Sequence, residues 1–144
     1  ALTGAIGPLV TKTEDTTASM APATGATTAS TTALWQAWAP GRVETELAAG
    51  RPVFVDFTAA WCITCQYNKK TTLANSDVLA DMRAHQVTLL RADWTRRDPA
   101  ITVALEQLGR RGVPVYVLHQ AGRSPVVFSE ILDAKELRAA LANL

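Results

Sequence analysis

The pattern of hydrophobic and polar positions divides the chain into two parts. From residue 34 onward, apolar residues recur at the spacings of helices and strands, whereas residues 11–33 consist mainly of Thr, Ala, Ser and Pro. Such a segment cannot bury enough apolar surface to offset the entropy lost on ordering. We therefore expect a flexible linker over residues 1–33, with a glycosylated stalk as the weaker alternative, and a folded domain over residues 34–144.

The periodicity of the second part predicts alternating strands and helices. Strands are expected where β-branched and aromatic residues cluster, at 52–58, 87–92, 114–119 and 125–131, the last two forming a hairpin. Helices are expected at 43–49, 62–73, 78–85, 99–108 and 134–144, with capping side chains at Asn75–Asp77, Asp98 and Asp133. Leu34, Trp35 and Trp38 have helical spacing and predict one more short helical element. This order predicts an α/β fold, a central mixed β-sheet with helices on both faces.

Composition and charge narrow the possible partners. The 144 residues are 48% hydrophobic and 19% charged, with a formal net charge of +1. Without a long basic run or interleaved aromatic and basic residues, we expect no nucleic-acid partner. No stretch reaches the roughly 18 consecutive apolar residues that a membrane-spanning helix requires.

The two cysteines carry the strongest chemical signal. Cys62 and Cys65 follow a predicted buried strand and open a predicted helix, a context in which C-x-x-C is a redox motif. Residues i and i+3 of a first helical turn lie about 5–6 Å apart, within reach of a disulfide bond. The N–H groups and macrodipole of that turn stabilise a thiolate. We expect Cys62 to be the attacking nucleophile and Cys65 the resolving thiol.

Two other interpretations of the cysteine pair carry less weight. A structural disulfide across so short a loop adds little chain-entropy stabilisation. A zinc site needs at least two more ligands, and the two histidines, His85 and His119, have no ligand-like spacing to the pair. We expect no metal and no other cofactor, and we place both histidines at the surface or at strand ends.

Asp56 is a carboxylate within an apolar strand, six residues before Cys62. Burial there is costly unless the group is paired or protonated. One interpretation is a buried proton acceptor with a raised pKa, which takes the proton of Cys65 when that thiol attacks. The alternative is an aspartate at the end of a strand, turned to solvent.

The order Asp-x-x-x-x-Trp-Cys-x-x-Cys, followed by Gly-Val-Pro before a hairpin, resembles the thioredoxin superfamily over residues 43–144. An X–Pro bond is cis in only about 5–6% of cases in folded proteins, but the resemblance implies a cis bond between Val113 and Pro114. It also implies that Pro114 faces the dithiol across a substrate groove, where Val113 offers backbone hydrogen bonds to a partner strand. Trp61 belongs to the same expected binding surface.

The stretches VFVDFTAAWCITCQYNKKTTL and RRGVPVYVL are similar to the C-terminal periplasmic domain of the DsbD family of thiol:disulfide interchange proteins. This resemblance implies a periplasmic thioredoxin-fold domain, tethered to the inner membrane in the full-length protein. It would relay electrons from a transmembrane dithiol domain to the N-terminal periplasmic domain of the same protein. Other periplasmic thiol–disulfide proteins, including those of cytochrome c biogenesis, are further implied partners, and a monomer is expected.

Two alternatives stay open. The chain could be a free-standing or differently anchored protein-disulfide reductase, or a non-catalytic binding module in which C-x-x-C is a passive bridge. One position departs from the DsbD pattern, because Lys69 stands where some members carry Glu, and a nearby cation favours a thiolate. We expect the segment Tyr67–Lys69 to lie on a solvated helix face, and Arg110 and Arg111 to be solvated or to rim the groove.

Overall fold

The computed structural model describes residues 34–144, and the predicted linker over residues 1–33 lies outside the described residues. The elements are β1 (Trp35–Ala37), α1 (Arg42–Ala48), β2 (Val53–Thr58), α2 (Ile63–Lys70), a 3₁₀ turn (Thr72–Ala74), α3 (Ser76–Ala84), β3 (Thr88–Asp93), α4 (Pro99–Gln107), β4 (Val115–His119), β5 (Val126–Val127) and α5 (Ala134–Ala142). The predicted helix 62–73 is therefore two pieces, since α2 ends at Lys70 and the 3₁₀ turn follows.

The five strands form one mixed sheet in the order β1-β3-β2-β4-β5. Strands β1, β3 and β2 run parallel, β4 is antiparallel to β2, and β5 is antiparallel to β4. Every residue of β2 is buried, as its unbroken apolar pattern predicts for a central strand. The mixed sheet inferred from the sequence is confirmed.

Helices cover both faces of the sheet. On the first face, α1 and α4 bury Val43, Ile101 and Leu105 against Val53, Val55 and Phe57. On the second face, α3 and α5 bury Val78, Met82, Leu137 and Leu141 against Phe54 and Tyr116. Side chains alternate along a strand, so Asp56 shares the second face with Phe54.

Three predicted capping residues begin their helices. The side chains of Asn75, Asp98 and Asp133 each accept backbone N–H bonds from the first turn of α3, α4 and α5. Such caps satisfy donors that have no partner inside the helix and typically contribute about 1 kcal/mol each. The starts of these helices are thus encoded locally.

The prediction of a helical element around Trp35 and Trp38 is wrong, because this segment enters the sheet as edge strand β1. Residues three apart share one face of a helix but point to opposite faces of a strand. Trp35 packs its ring against Phe54 on the second face, and Trp38 packs against Phe57 on the first. Strand β1 and the residue that follows it thereby cover both faces at the sheet edge.

The predicted strand 125–131 is mostly absent, since only Val126–Val127 pairs with β4 as a strand. After one further bond, from Phe128 N to Tyr116 O, the chain leaves the sheet. Its backbone then bonds to the side chain of Asn68 on α2: Nδ2 donates to Glu130 O at 2.8 Å, and Oδ1 accepts from Leu132 N at 3.2 Å. A side chain takes the place of the neighbouring strand.

Candidate active site

The cysteine pair lies where the chain passes from the central strand β2 into helix α2. Cys62 is the residue that caps α2, and it forms a disulfide bond with Cys65 in the first turn. The two Cα atoms are 5.2 Å apart, within the range expected from the i, i+3 spacing. The backbone N–H of Cys65 donates to Cys62 Sγ at 3.1 Å. A helix N-terminal donor therefore already points at the sulfur that would carry a thiolate.

The two sulfurs differ in how easily another molecule can reach them. Cys65 is fully buried, whereas Cys62 keeps 7% of its surface exposed. On either side of Cys62, Trp61 is 49% exposed and Ile63 is 85% exposed. The accessible part of the disulfide therefore opens onto a small apolar surface.

The segment before β4 closes one side of this surface. The peptide bond between Val113 and Pro114 is cis, as the family resemblance implies. Val113 packs against the buried cluster of Ala59, Cys62 and Cys65, and Pro114 itself is buried. Sequence positions about 50 residues apart thus meet at the disulfide.

Trp61 is held in place by the loop that follows β3. Its indole Nε1–H donates to Thr95 O at 3.0 Å, and its ring lies 6.0 Å from the buried Trp94 ring. The guanidinium of Arg97 lies 4.9 Å from the Trp61 ring and 4.8 Å from the Trp94 ring. Trp61 is therefore exposed but anchored.

Asp56 is fully buried on the second face of the sheet, so the solvent-facing alternative is wrong. Its Oδ2 accepts a bond from Arg91 Nε at 3.1 Å, while its Oδ1 has no hydrogen-bond partner within residues 34–144. Burial raises the pKa of Asp56, and the positive charges of Arg91 and Lys69 oppose this rise. Burial and the two cations thus act in opposite directions on the ionisation of this carboxyl group, and burial is the larger effect.

Lys69 extends from α2 toward the same region of β2. It follows Cys65 by four residues, which places both on one side of the helix. Its Nζ donates to Thr58 Oγ1. Burial lowers the pKa of Lys69, and the negative charge of Asp56 opposes this effect. At the position that departs from the DsbD pattern, the chain therefore places a lysine whose charge interacts with that of Asp56.

The expected solvated face at Tyr67–Lys69 is correct only for Tyr67, which is 55% exposed. Asn68 is fully buried and also donates to the Tyr116 hydroxyl at 2.8 Å. Lys69 is half-buried. A buried amide needs partners for its polar atoms, and the loop at residues 130–132, remote in sequence, supplies two of them.

Arg91 is the site residue that the sequence reasoning missed. Its guanidinium bonds to Asp56 on the neighbouring strand and lies 4.1 Å from the centre of the Trp35 ring. A signal for this pair exists, because each of the apolar strands TLLRAD and VFVDFT contains a charge at its fourth position. In the parallel register, Asp56 and Arg91 are direct partners.

The remaining candidates are Arg110, Arg111 and the two histidines. Arg110 is half-buried and Arg111 is exposed, and both line a cleft of about 540 Å³ beside Trp94. His85 follows α3, and His119 is the last residue of β4, in agreement with the expected positions. Within the described range, no group of three or more His, Cys, Asp or Glu side chains is arranged to hold a metal ion.

Comparison with known proteins decides the family. A family model described as thioredoxin-like matches residues 34–121, which is more than half of the chain. The chain belongs to the thioredoxin-like family. The thioredoxin fold inferred from the motifs is therefore confirmed.

Known relatives of this thioredoxin-like chain include thiol:disulfide interchange proteins named DsbD. It is 32% identical over 87 residues to DsbD 1 of Pseudomonas aeruginosa, a match that covers 58% of this chain and 14% of that protein. It is 31% identical over 74 residues to DsbD of Klebsiella pneumoniae, covering 51% and 12% respectively. The chain thus spans only a small part of these relatives.

Solved structures agree on the fold. The C-terminal domain of Neisseria meningitidis DsbD in its reduced form superposes with a TM-score of 0.59 at 22% identity, covering 81% of this chain and 95% of that domain. A thioredoxin from Thermus thermophilus gives a TM-score of 0.57 at 20% identity, covering 76% and 84%. A thioredoxin-like, DsbD-related domain with a disulfide-bonded C-x-x-C pair is consistent with thiol–disulfide exchange, and the relatives point to thiol:disulfide oxidoreductase activity.

None of the helices in the described part is long and apolar enough to cross a bilayer.

Proposed function

We propose that this thioredoxin-like domain transfers electrons by thiol–disulfide exchange through Cys62 and Cys65. The observation that carries the proposal is the position of Cys62 Sγ, which accepts the Cys65 N–H bond at the start of α2 and is the more accessible sulfur. Helix N-termini lower the pKa of a cysteine thiol below its ordinary value of about 8.5. Cys62 is then the nucleophile and Cys65 the resolving thiol.

Two successive thiol–disulfide exchange reactions, first with a donor and then with an acceptor, move one electron pair through the domain. A donor thiolate attacks Cys62 Sγ, releases Cys65 and forms a mixed disulfide, which the second donor thiol resolves to leave the domain as a dithiol. The Cys62 thiolate then attacks an acceptor disulfide and forms a second mixed disulfide. Cys65 attacks Cys62, re-forms the intramolecular disulfide and releases the acceptor as a dithiol.

In this mechanism Asp56 takes the proton of the Cys65 thiol as that thiol attacks. The support is the complete burial of Asp56, the Oδ1 that lacks a partner among the described residues, and the raised pKa. A base whose pKa lies nearer the working pH transfers protons more effectively than an ordinary carboxylate.

The surface that receives the partner is formed by Trp61, Val113 and Pro114. Trp61 is exposed and anchored beside Cys62, and Val113 packs against the disulfide from the other chain segment. A partner strand would hydrogen-bond to the backbone at Val113 while its sulfur approaches Cys62. Small, transient contacts suit a carrier that must release each partner after exchange.

We further propose that the domain works within a DsbD-like protein in the periplasm, tethered to the inner membrane. Its donor would be a transmembrane dithiol domain, and its acceptor the N-terminal periplasmic domain, which in turn supplies other periplasmic thiol–disulfide proteins such as those of cytochrome c biogenesis. The similarity to DsbD proteins, of whose length the match covers 14% and 12%, supports this arrangement. The domain would act as a monomer.

Insulin reduction and partner trapping test the exchange activity. With dithiothreitol as the electron source, the wild-type chain should accelerate insulin precipitation, and Cys62→Ser should not. Cys65→Ser should accumulate a mixed disulfide through Cys62, which non-reducing electrophoresis detects. A wild-type chain without turnover, together with no trapped species, would identify a passive binding module instead. Turnover of insulin without exchange with the N-terminal domain of a DsbD relative would favour a free-standing reductase.

A further inference from the structure

We infer that Trp35 on the edge strand β1 is a positioning residue for Asp56 and acts by holding Arg91 against the carboxylate. The inference rests on the proposed function, in which Asp56 accepts the proton of Cys65. It extends the site to the edge of the sheet, two strands away from the strand that leads into the cysteine pair.

Three neighbouring strands build this contact on the second face of the sheet. Asp56 on β2 and Arg91 on β3 are partners in register, and the residue of β1 in register with Arg91 is Ala37. Trp35 lies two residues before Ala37, on the same face and diagonal to Arg91. The guanidinium carbon therefore lies 4.1 Å from the centre of the indole ring, while Nε of the same group donates to Asp56 Oδ2 at 3.1 Å.

The indole ring restricts a side chain that would otherwise be mobile. The Arg91 side chain is 29% exposed, so water competes with Asp56 for its guanidinium. A tryptophan ring attracts a cation to its face and removes water from that side. Because the ring already restricts the guanidinium, the long side chain loses less entropy when it bonds to Asp56. Both effects keep the charge of Arg91 close to the carboxylate.

Other groups that face Asp56 do not replace Arg91. Lys69 approaches from α2, but its Nζ bonds to Thr58. Tyr116 is the register partner of Asp56 on β4, and its hydroxyl accepts the bond from Asn68. Asp93 at the end of β3 is exposed and bonds to Thr95. Among the described residues, only Arg91 bonds to the carboxylate, and β1 contributes no charge to it.

Two opposed effects act on the ionisation of Asp56, and their balance affects the transfer of the Cys65 proton. Burial favours the protonated form of Asp56, and Arg91 favours the ionised form that can accept a proton. When Arg91 loosens, the balance moves toward the protonated form. Base assistance to Cys65 then begins at a higher pH.

The test measures the titration of Asp56 directly in the oxidised protein, in which the cysteines do not titrate. Carboxyl ¹³C NMR follows the midpoint, and Asp56→Asn identifies the signal by its loss. We expect Trp35→Leu to shift the midpoint upward and Arg91→Gln to shift it further. The double variant should match Arg91→Gln alone, because Trp35 acts only through Arg91. Lys69→Gln separates any contribution of that ammonium.

Trp38→Leu is the matched control. Trp38 lies beside the same strand but packs on the opposite face, with its ring 6.3 Å from Phe57. We expect no shift of the Asp56 midpoint in this variant, even if its thermal stability falls by as much as that of Trp35→Leu. Trp35→Phe keeps a ring with a weaker attraction for cations, so its shift should be smaller than that of Trp35→Leu.

An unchanged midpoint in Trp35→Leu beside a clear shift in Arg91→Gln would overturn the inference. An equal shift caused by Trp35→Leu in the presence and absence of Arg91 would overturn it as well. If Trp35→Leu does not fold, Trp35→Phe decides, and the absence of a shift there rejects the role. The NMR titration does not require turnover, so a wild-type chain inactive toward insulin would reject the proposed function and leave this result standing.

Discussion

At the scale of single residues, Asp56 is fully buried, and within residues 34–144 only its Oδ2 has a hydrogen-bond partner, Arg91. Desolvation and the two nearby cations act on it in opposite directions. The same carboxyl group therefore bears on both the exchange chemistry and the stability of the domain.

We predict that Asp56→Asn slows the exchange step most clearly near neutral pH, because the amide cannot accept the proton of Cys65. Stopped-flow reduction of a disulfide substrate across pH 5–9 would measure the loss, expected at about tenfold or more. Asp77→Asn is the control, since the Asp77 side chain is 70% exposed at the start of α3. A pH–rate profile identical to that of the wild type would remove Asp56 from the mechanism.

The same variant should change how stability depends on pH. Because the folded-state pKa of Asp56 is raised, its contribution to stability is greatest at low pH and is lost as the pH rises through that pKa. Asp56→Asn should therefore be more stable than the wild type at pH 8, and this advantage should shrink toward pH 4. Urea unfolding of the oxidised proteins at both pH values would measure the difference. A constant difference between the two proteins would contradict the linkage.

At the scale of elements, buried polar side chains tie neighbouring segments together. Glu46 of α1 bonds to Arg51, which precedes β2, and to Thr88 at the start of β3. Asn68 of α2 joins the loop at residues 130–132 to Tyr116 of β4. Each side chain connects elements that are separated in the sequence.

We predict that Glu46 makes the domain sensitive to acid. Bonds from Arg51 and Thr88 lower the pKa of Glu46 from its ordinary 4.5 to about 2. The stability it contributes is complete above pH 4.5 and is lost as the pH falls toward 2. Glu46→Gln should therefore lower the melting temperature at pH 7 and lower it much less at pH 2. Glu44→Gln, an exposed change on the same helix, should lower the melting temperature at pH 7 by less than Glu46→Gln.

We predict that Asn68→Ala destabilises the domain by about 2–4 kcal/mol, because it leaves buried backbone groups without partners and opens a cavity. Urea unfolding would measure the loss. Amide hydrogen exchange at Leu132 should accelerate, since this N–H donates to the Asn68 side chain. Asn143→Ala is the matched control at an exposed position after α5. Equal destabilisation by the two changes would contradict the anchoring role.

At the scale of the whole molecule, the fold brings three chain segments to one disulfide. The loop after β2 supplies Trp61 and Cys62, and the first turn of α2 supplies Cys65. The segment before β4 supplies Val113, and the loop after β3 anchors Trp61 through Thr95. A partner can approach only where these segments leave Cys62 accessible. The direction of electron flow then depends on the reduction potential of the Cys62–Cys65 pair.

We predict a reduction potential on the reducing side, closer to the value of about −270 mV for thioredoxin than to about −120 mV for DsbA. Equilibration of the chain with glutathione or dithiothreitol, followed by alkylation and mass spectrometry, would measure it. Lys69→Met should shift the potential to a more negative value, because removing a cation disfavours the thiolate of the reduced form. A wild-type potential near that of DsbA would contradict electron delivery to downstream disulfides.

Local sequence features determined much of this protein without reference to its tertiary structure. The capping residues begin the helices, the apolar run identifies the central strand, and the i, i+3 spacing brings Cys62 and Cys65 within bonding distance. Each depends on neighbours within a few residues, so periodicity and side-chain chemistry suffice to predict it.

Only the tertiary structure decided which distant residues meet. Trp35 becomes a strand residue because β3 offers a free edge, and Asp56 finds Arg91 through strand register. Asn68 replaces β4 as the hydrogen-bond partner of the loop at residues 130–132. The sequence interval between Asp56 and Arg91 is 35 residues, and that between Asn68 and Glu130 is 62. Contacts over such intervals depend on register and packing, so a charge within each of two apolar strands indicates a pair only once the register of those strands is known.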